Sequence, residues 1–220
     1  MAFKNELIDE INTYCMNDLP TDKFYNNLFL FIKNDKIRDR IILEFKNTRY
    51  FYKIFEGLQV SDEKLLIETK MQMIMYAGIH EAIVSYVVLE LCKDNDIVKS
   101  LLKINKLTEF SIPTRKREVL ERELSHDGKD VVPCYYKMCK VDKTKIRYDA
   151  KVNALYDMRL ISSKMKEDLI EIYEYRNTVH LEAELKKNLD YTIEMSKLAY
   201  RRVEGLNIEL SKSLIDNVLF

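Results

Sequence analysis

The segment from Met71 to Cys92 reads MQMIMYAGIHEAIVSYVVLELC. It is apolar nearly all round and shows none of the strict alternation of a half-buried strand. A helix of that kind stands at the centre of its bundle. His80, Glu81 and Ser85 lie near its middle and would be costly in lipid, so the segment reads as a buried central helix, not a membrane span. Ser61, followed by Asp62 and Glu63, supplies its start: a hydroxyl cap, then acids near the positive end of the helix dipole.

The composition agrees with a helical protein. The chain has 220 residues, enough for one large domain or a core domain with an appended piece. Apolar residues make up 47% and charged residues 33%, so a core can form beneath a well-solvated surface. Only 4 Gly and 3 Pro are present, too few for a β-rich chain of this size, which favours long helices. The formal net charge of zero excludes a strongly basic nucleic-acid coat and confines any polyanion site to a local patch. Cys15, Cys92, Cys134 and Cys139 follow no disulfide-rich pattern, and Met1-Ala2-Phe3-Lys4 opens directly into an amphipathic helix without a secretory signal. A reducing cytoplasm is the expected location.

Working outward from the central segment, Phe3, Leu7, Ile8, Ile11, Tyr14 and Cys15 recur at helical spacing, and Pro20 closes that helix. Thr21 caps the next, with Phe24, Tyr25, Leu28, Phe29 and Ile32 on one side. Ile37, Ile41, Phe45, Thr48, Tyr52 and Phe55 mark a third, which Gly57 ends. On the other side, Ile97, Leu101, Leu102 and Ile104 predict a short helix. Residues 111–151 then change character. They carry two prolines, the turn His126-Asp127-Gly128 and a strand-like run around Val131-Val132 and Tyr135-Tyr136, with eleven Lys or Arg against seven Asp or Glu. This predicts a basic insertion, a loop or hairpin. Helical spacing resumes at Val152, Leu155 and Tyr156. Ser162 or Ser163 caps a helix with Met165, Leu169, Ile172 and Tyr173 that runs into Arg176. Another helix carries Leu185, Leu189, Ile193, Ser196, Tyr200 and Val203 and ends at Gly205. An amphipathic tail follows, with Leu210, Leu214, Ile215 and Val218.

The chemistry concentrates in Arg176-Asn177-Thr178-Val179-His180. If the helix continues through this stretch, Arg176 and His180 project from one face within reach of a common ligand. The pair suits phosphodiester cleavage. A histidine takes a proton from a ribose 2′-hydroxyl or gives one to a leaving 5′-oxygen. An arginine stays charged and presents a fork of donors to phosphate oxygens, stabilising charge in the transition state. The scheme needs no metal, and no acidic cluster has Mg²⁺ spacing.

The string Leu160-Ile161-Ser162, then Tyr173-Glu174-Tyr175-Arg176-Asn177-Thr178-Val179-His180-Leu181, resembles the signature segment of the HEPN superfamily. Those are helical-bundle domains whose late core helix ends in Arg-Asn, a few residues, then His; here three residues separate Arg from His. The resemblance implies a metal-independent endoribonuclease of bacterial toxin–antitoxin or antiviral (phage) defence, working as a homodimer whose two motifs face one cleft. It implies His180 as general acid/base, Arg176 as phosphate and transition-state binder and Asn177 as positioning residue. His80, Glu81 and Tyr173 are candidate supporting residues beside them. It also implies RNA as substrate, with an antitoxin or defence-system protein as a possible partner, and no cofactor.

The expected architecture is thus an all-α bundle of HEPN type over 59–205, with an N-terminal helical extension over 1–58, the basic insertion over about 111–151 and the amphipathic tail over 206–220. Arg115, Lys116, Arg117, Lys137 and Lys140, interleaved with Tyr135, Tyr136 and Tyr148, are the candidate RNA contacts; the alternative is a solvated basic loop. His80-Glu81 reads either as a polar pair facing the cleft, with Glu81 orienting Arg176 or His180, or as an inert hydrogen-bonded pair at the bundle edge. Arg176-Asn177 also suits a plain helix end. His126, Cys134 and Cys139 lack a fourth ligand and the tight spacing of a zinc site. Met71, Met73 and Met75 read as core filling. The competing functional reading is a catalytically inactive helical protein acting as a protein- or nucleotide-binding regulatory module.

Overall fold

Thr21, Asn34 and Ser162 each turn a side-chain oxygen toward an N–H in the first turn of the helix that follows. Phe24 N donates to Thr21 Oγ1 at 3.4 Å, Ile37 N to Asn34 Oδ1 at 3.2 Å and Met165 N to Ser162 Oγ at 3.2 Å. Such caps fix where helices begin. The computed structural model describes residues 3–17, 19–124, 129, 132–187 and 190–216, and the chain divides into two units: Met1–Lys93 with Arg147–Phe220, and Asp94–Ile146.

The first unit is helical. α1 spans Asn5–Asn17, α2 Asp22–Leu28 and α3 Asp35–Gly57. α4 covers Asp62–Tyr86 and passes into a π-helical turn at Val87–Leu91. Numbering resumes beyond the second unit, whose two helices are α5 and α6 below, with α7 over Tyr148–Asp157, α8 over Ser163–Asn177, α9 over Leu181–Lys187 and α10 over Ile193–Asp216. α4 packs against α3, α7, α8 and α10, as expected of the most apolar segment. The stretch Glu63–Leu91 is long and apolar enough to cross a membrane by length and composition, and 56% of its most apolar window is buried within the fold.

The N-terminal helices are part of this core and not an extension of it. Phe45 on α3 sits within ring-contact distance of Tyr25, Phe29, Tyr76 and Tyr200, the last stacked at 5.7 Å. One aromatic cluster thereby joins α2, α3, α4 and α10, and residue 58 is no boundary. Each such buried ring contributes roughly 1.5–3 kcal/mol of apolar burial. Gly57 lets α1 approach closely: a Cβ there would stand 2.9 Å from Tyr14 Cε1, so the Tyr14 ring would have to shift.

Three further expectations are corrected. α2 stops at Leu28, before Phe29 and Ile32, which are nonetheless buried. The helix expected over 185–203 is two helices, because Tyr191 is drawn into the core between them; Leu185 lies exposed on α9, and Leu189 is outside the described residues. Gly205 does not end α10. The helix runs on, burying Leu206, Leu210 and Leu214 in the first unit, so 206–216 is core and not a tail. A glycine inside a helix costs about 1 kcal/mol against alanine, which continued burial outweighs here. Val218 lies outside the described residues.

In the second unit, α5 spans Asp96–Leu101 and is capped by Asn95, whose Oδ1 accepts from Ile97 N. Ile104 is not on that helix but in β1, Lys103–Glu109. α6 covers Thr114–Glu123 and β2 covers Cys134–Lys140. β1 and β2 pair antiparallel, with Lys103 opposite Lys140, Lys106 opposite Lys137 and Leu107 opposite Tyr136. The inserted unit therefore begins at 94 and ends at 146, and its strands are joined through α6, not by a tight hairpin. Only a non-local partner makes a strand of Lys103–Glu109, which local spacing reads as the end of a helix. The turn His126-Asp127-Gly128 and Val131 lie outside the described residues.

Candidate functional site

α8 ends where the motif begins. Thr178 is the C-cap; its N–H bonds to the carbonyls of Glu174 and Tyr175 at 3.2 and 3.1 Å. Its hydroxyl donates back toward the Tyr175 carbonyl at 2.9 Å and lies 3.0 Å from the Tyr191 hydroxyl, which itself donates to that same carbonyl at 2.9 Å. Terminal helix carbonyls need such partners. Thr178 and Tyr191 are both buried, so the break is built into the core. The sequence shows neither as a positioning residue, since both read as ordinary loop and core positions.

Of the two readings that the sequence leaves open, the plain helix end at Arg176-Asn177 holds, and Arg176 and His180 do not share the face of one continuous helix. Arg176 is in the last turn of α8, half-buried, with its guanidinium over the Tyr173 ring at 5.2 Å and Nη1 donating to Asn177 Oδ1 at 3.0 Å. A planar cation on an aromatic face with one amide acceptor keeps its remaining donors available to an anion. His180 lies beyond the break, exposed, at the head of α9, where its carbonyl accepts from Glu184 N at 3.0 Å. The Glu184 carboxylate pairs with Lys70 of α4 at 2.5 Å, with both side chains mostly covered, which ties α9 to the central helix. Lys70 also lies 5.1 Å from the Tyr191 ring centroid.

Asn177 and Tyr173 line a cleft of about 410 Å³ together with Arg147, Tyr148, Asp149, Ile170, Glu174 and Lys187; Arg176 and His180 are not among its lining residues. Arg147 forms a two-point pair with Asp149, at 3.1 and 2.7 Å, and Lys187 pairs with Glu174. Tyr148 is buried and stacked on Tyr173 at 4.2 Å, and its hydroxyl has no hydrogen-bond partner among the described residues. Burial first, then the nearby Glu81 and Tyr173, raise its pKa well above the ordinary phenol value. Tyr148 is thus a core residue and not one of the rings expected to stack on RNA. A larger cavity of about 710 Å³, between the α7–α8 turn and Glu209, Lys212 and Ser213 of α10, includes no residue of the Arg-Asn…His motif.

The expected supporting residues divide. Tyr173 supports Arg176 directly. Glu81 makes no hydrogen bond or ion pair to Arg176 or His180 and instead bears on Tyr148. His80 is 1% exposed, and among the described residues neither ring nitrogen has a hydrogen bond of normal geometry. Burial pushes its pKa down to about 3, with the Ala199 backbone acting in the other direction. It is neither a cleft residue nor a hydrogen-bonded one at the bundle edge, and it stays neutral inside the core.

In the second unit, Arg115, Lys116 and Arg117 occupy the first turn of α6, exposed, at the end where the helix dipole disfavours cations. Lys137 and Lys140 are exposed on β2, and their odd spacing sends them to opposite faces of the ribbon. Tyr135 and Tyr136 are exposed, whereas Lys151, the last of the expected basic run, is buried in the first unit and bonds to Ser85 Oγ at 3.0 Å. Cys134 and Cys139 also fall on opposite faces of β2, and His126 is outside the described residues. Compared with protein-family models, with curated proteins and with solved structures, the chain has no match.

Proposed function

We propose that this protein is a metal-independent endoribonuclease of HEPN type, of a bacterial toxin–antitoxin or antiviral-defence kind, acting as a homodimer. Arg176 binds the scissile phosphate and the charge that builds on it, Asn177 holds the guanidinium, and His180 transfers the proton. The observation that carries this reading is the Arg176–Asn177 clamp, seated on Tyr173 at the end of α8, with an exposed His180 three residues beyond at the head of an anchored helix. The break after Asn177 takes His180 off the helix face of Arg176, so the reading places the Arg of one chain with the His of the other, in keeping with the paired motifs that the resemblance implies.

Purified protein is expected to cut a mixed cellular RNA pool in EDTA. His180→Ala and Arg176→Ala each lower the rate by about a hundredfold or more, the loss expected for a general acid/base or a transition-state charge partner. Wild-type protein that leaves RNA intact across salt and pH contradicts the reading. The same break at Asn177 favours a second reading, a catalytically silent helical module that binds a partner protein or nucleotide, and an inert wild type would support it.

A further inference from the structure

The β1–β2 ribbon sets lysines against each other twice. Lys103 lies directly opposite Lys140, and Lys106 directly opposite Lys137. Like charges in directly opposed positions destabilise a strand pair. A two-stranded ribbon has little stability to spare. No acid relieves the clash: the four ammonium groups have no ion pair or hydrogen bond among the described residues, and the one acid of the ribbon, Glu109, stands opposite Cys134 at the other end. Nor does either face gain a core in exchange, since every ribbon residue is exposed except the half-buried Thr108 and Cys139. Local reading missed Lys103 and Lys106, because only the register brings them to their partners.

Alternation puts Lys106, Thr108 and the following Phe110 on one face with Lys137 and Tyr135. The rings of Phe110 and Tyr135 meet edge-on at 6.0 Å, both about half exposed, at 45% and 46%. From Tyr135 to Lys137 is about 7 Å along the strand, close to the reach of one extended nucleotide. We infer that this ribbon binds single-stranded RNA, with phosphates at the Lys106–Lys137 pair and bases stacked on Tyr135 and Phe110. Cations beside exposed rings grip single strands, whose bases are free to stack; a duplex hides those faces. An acidic polypeptide would satisfy the lysines and leave the rings unused. A lipid surface fits poorly, because the second lysine pair lies on the opposite face and no side of the ribbon is free of charge. That the strand is RNA and not another polyanion rests on the function proposed above.

The test uses the full chain carrying His180→Ala, so that RNA is not consumed, and follows the anisotropy of a labelled, unstructured oligouridylate. Binding is expected to weaken steeply with salt, and to weaken about tenfold or more in Lys106→Gln/Lys137→Gln. Tyr135→Ala should cost about fivefold or more for the single strand and little for an RNA duplex. Lys106→Glu separates recognition from folding: it places opposite charges across the ribbon, so the fold is preserved while binding falls. Unchanged binding in the lysine variants, equal affinity for duplex with no effect of Tyr135→Ala, or binding of polyglutamate in place of RNA would each overturn the inference. Cleavage by the wild-type chain is scored separately. Ribbon variants that still bind RNA normally beside an active wild type reject the ribbon alone; an inert wild type whose ribbon binds as expected rejects the nuclease alone.

Discussion

Tyr191 and Thr178 decide the geometry of the motif without touching a substrate. Their hydroxyls share the Tyr175 carbonyl and end α8 at Asn177. Tyr191→Phe removes one of these bonds and leaves Thr178 to cap alone. The expected loss is about 1–2 kcal/mol in urea denaturation, with faster amide exchange over 176–180; unchanged exchange there would show that the cap does not hold the motif. His80 carries a pH signature. Its folded-state pKa of about 3 lies below the free imidazole value, so the unfolded chain takes up the proton first. Stability is therefore complete above about pH 6.5 and falls by up to about 1.4 kcal/mol per pH unit below it. His80→Leu should flatten that slope between neutral pH and pH 5; equal slopes in the two proteins would mean that the imidazole is not buried in its neutral form.

Among the elements, α10 departs furthest from its local signals. Gly205 marks a helix end by local rules, yet burial of Leu206, Leu210 and Leu214 carries the helix through it. Gly205→Ala distinguishes the two. In a continuous helix it gains up to about 1 kcal/mol, less the small shift of Met165 Cε, 3.2 Å from the new Cβ. At a left-handed C-cap it would instead destabilise, and thermal denaturation reads the sign. The central helix, the caps at Thr21 and Ser162 and the end of α3 at Gly57 were legible, because each rests on neighbours within a turn or two. β1 was not, because Ile104 and Leu107 become strand residues only through Cys139 and Tyr136 across the ribbon. The motif residues were legible as a string. The helix end at Arg176-Asn177 was legible as one of two alternatives; what holds it was not, since it depends on Tyr191, which arrives from thirteen residues beyond Thr178.

At the scale of the molecule, the first unit closes around a buried charge. Asp168 on α8 is 1% exposed and pairs with Lys164 at 2.9 Å and with Arg202 of α10. Asp168→Ala leaves Arg202, 27% exposed, without its carboxylate partner and is expected to cost about 1.5–3 kcal/mol; a loss near zero in chemical denaturation would mean that the pair is solvated. The same α8 delivers Arg176 to its end, so the interface that stabilises the unit also positions the site. We propose that Arg176 and His180 of two chains form one RNA-cleaving site. The most direct test mixes the inactive Arg176→Ala and His180→Ala chains, lets the subunits exchange, and measures RNA cleavage in EDTA. Recovery to about a quarter of the wild-type rate is expected, the share that random pairing gives in a two-fold dimer. A mixture as inactive as its components, beside an active wild type, would contradict it.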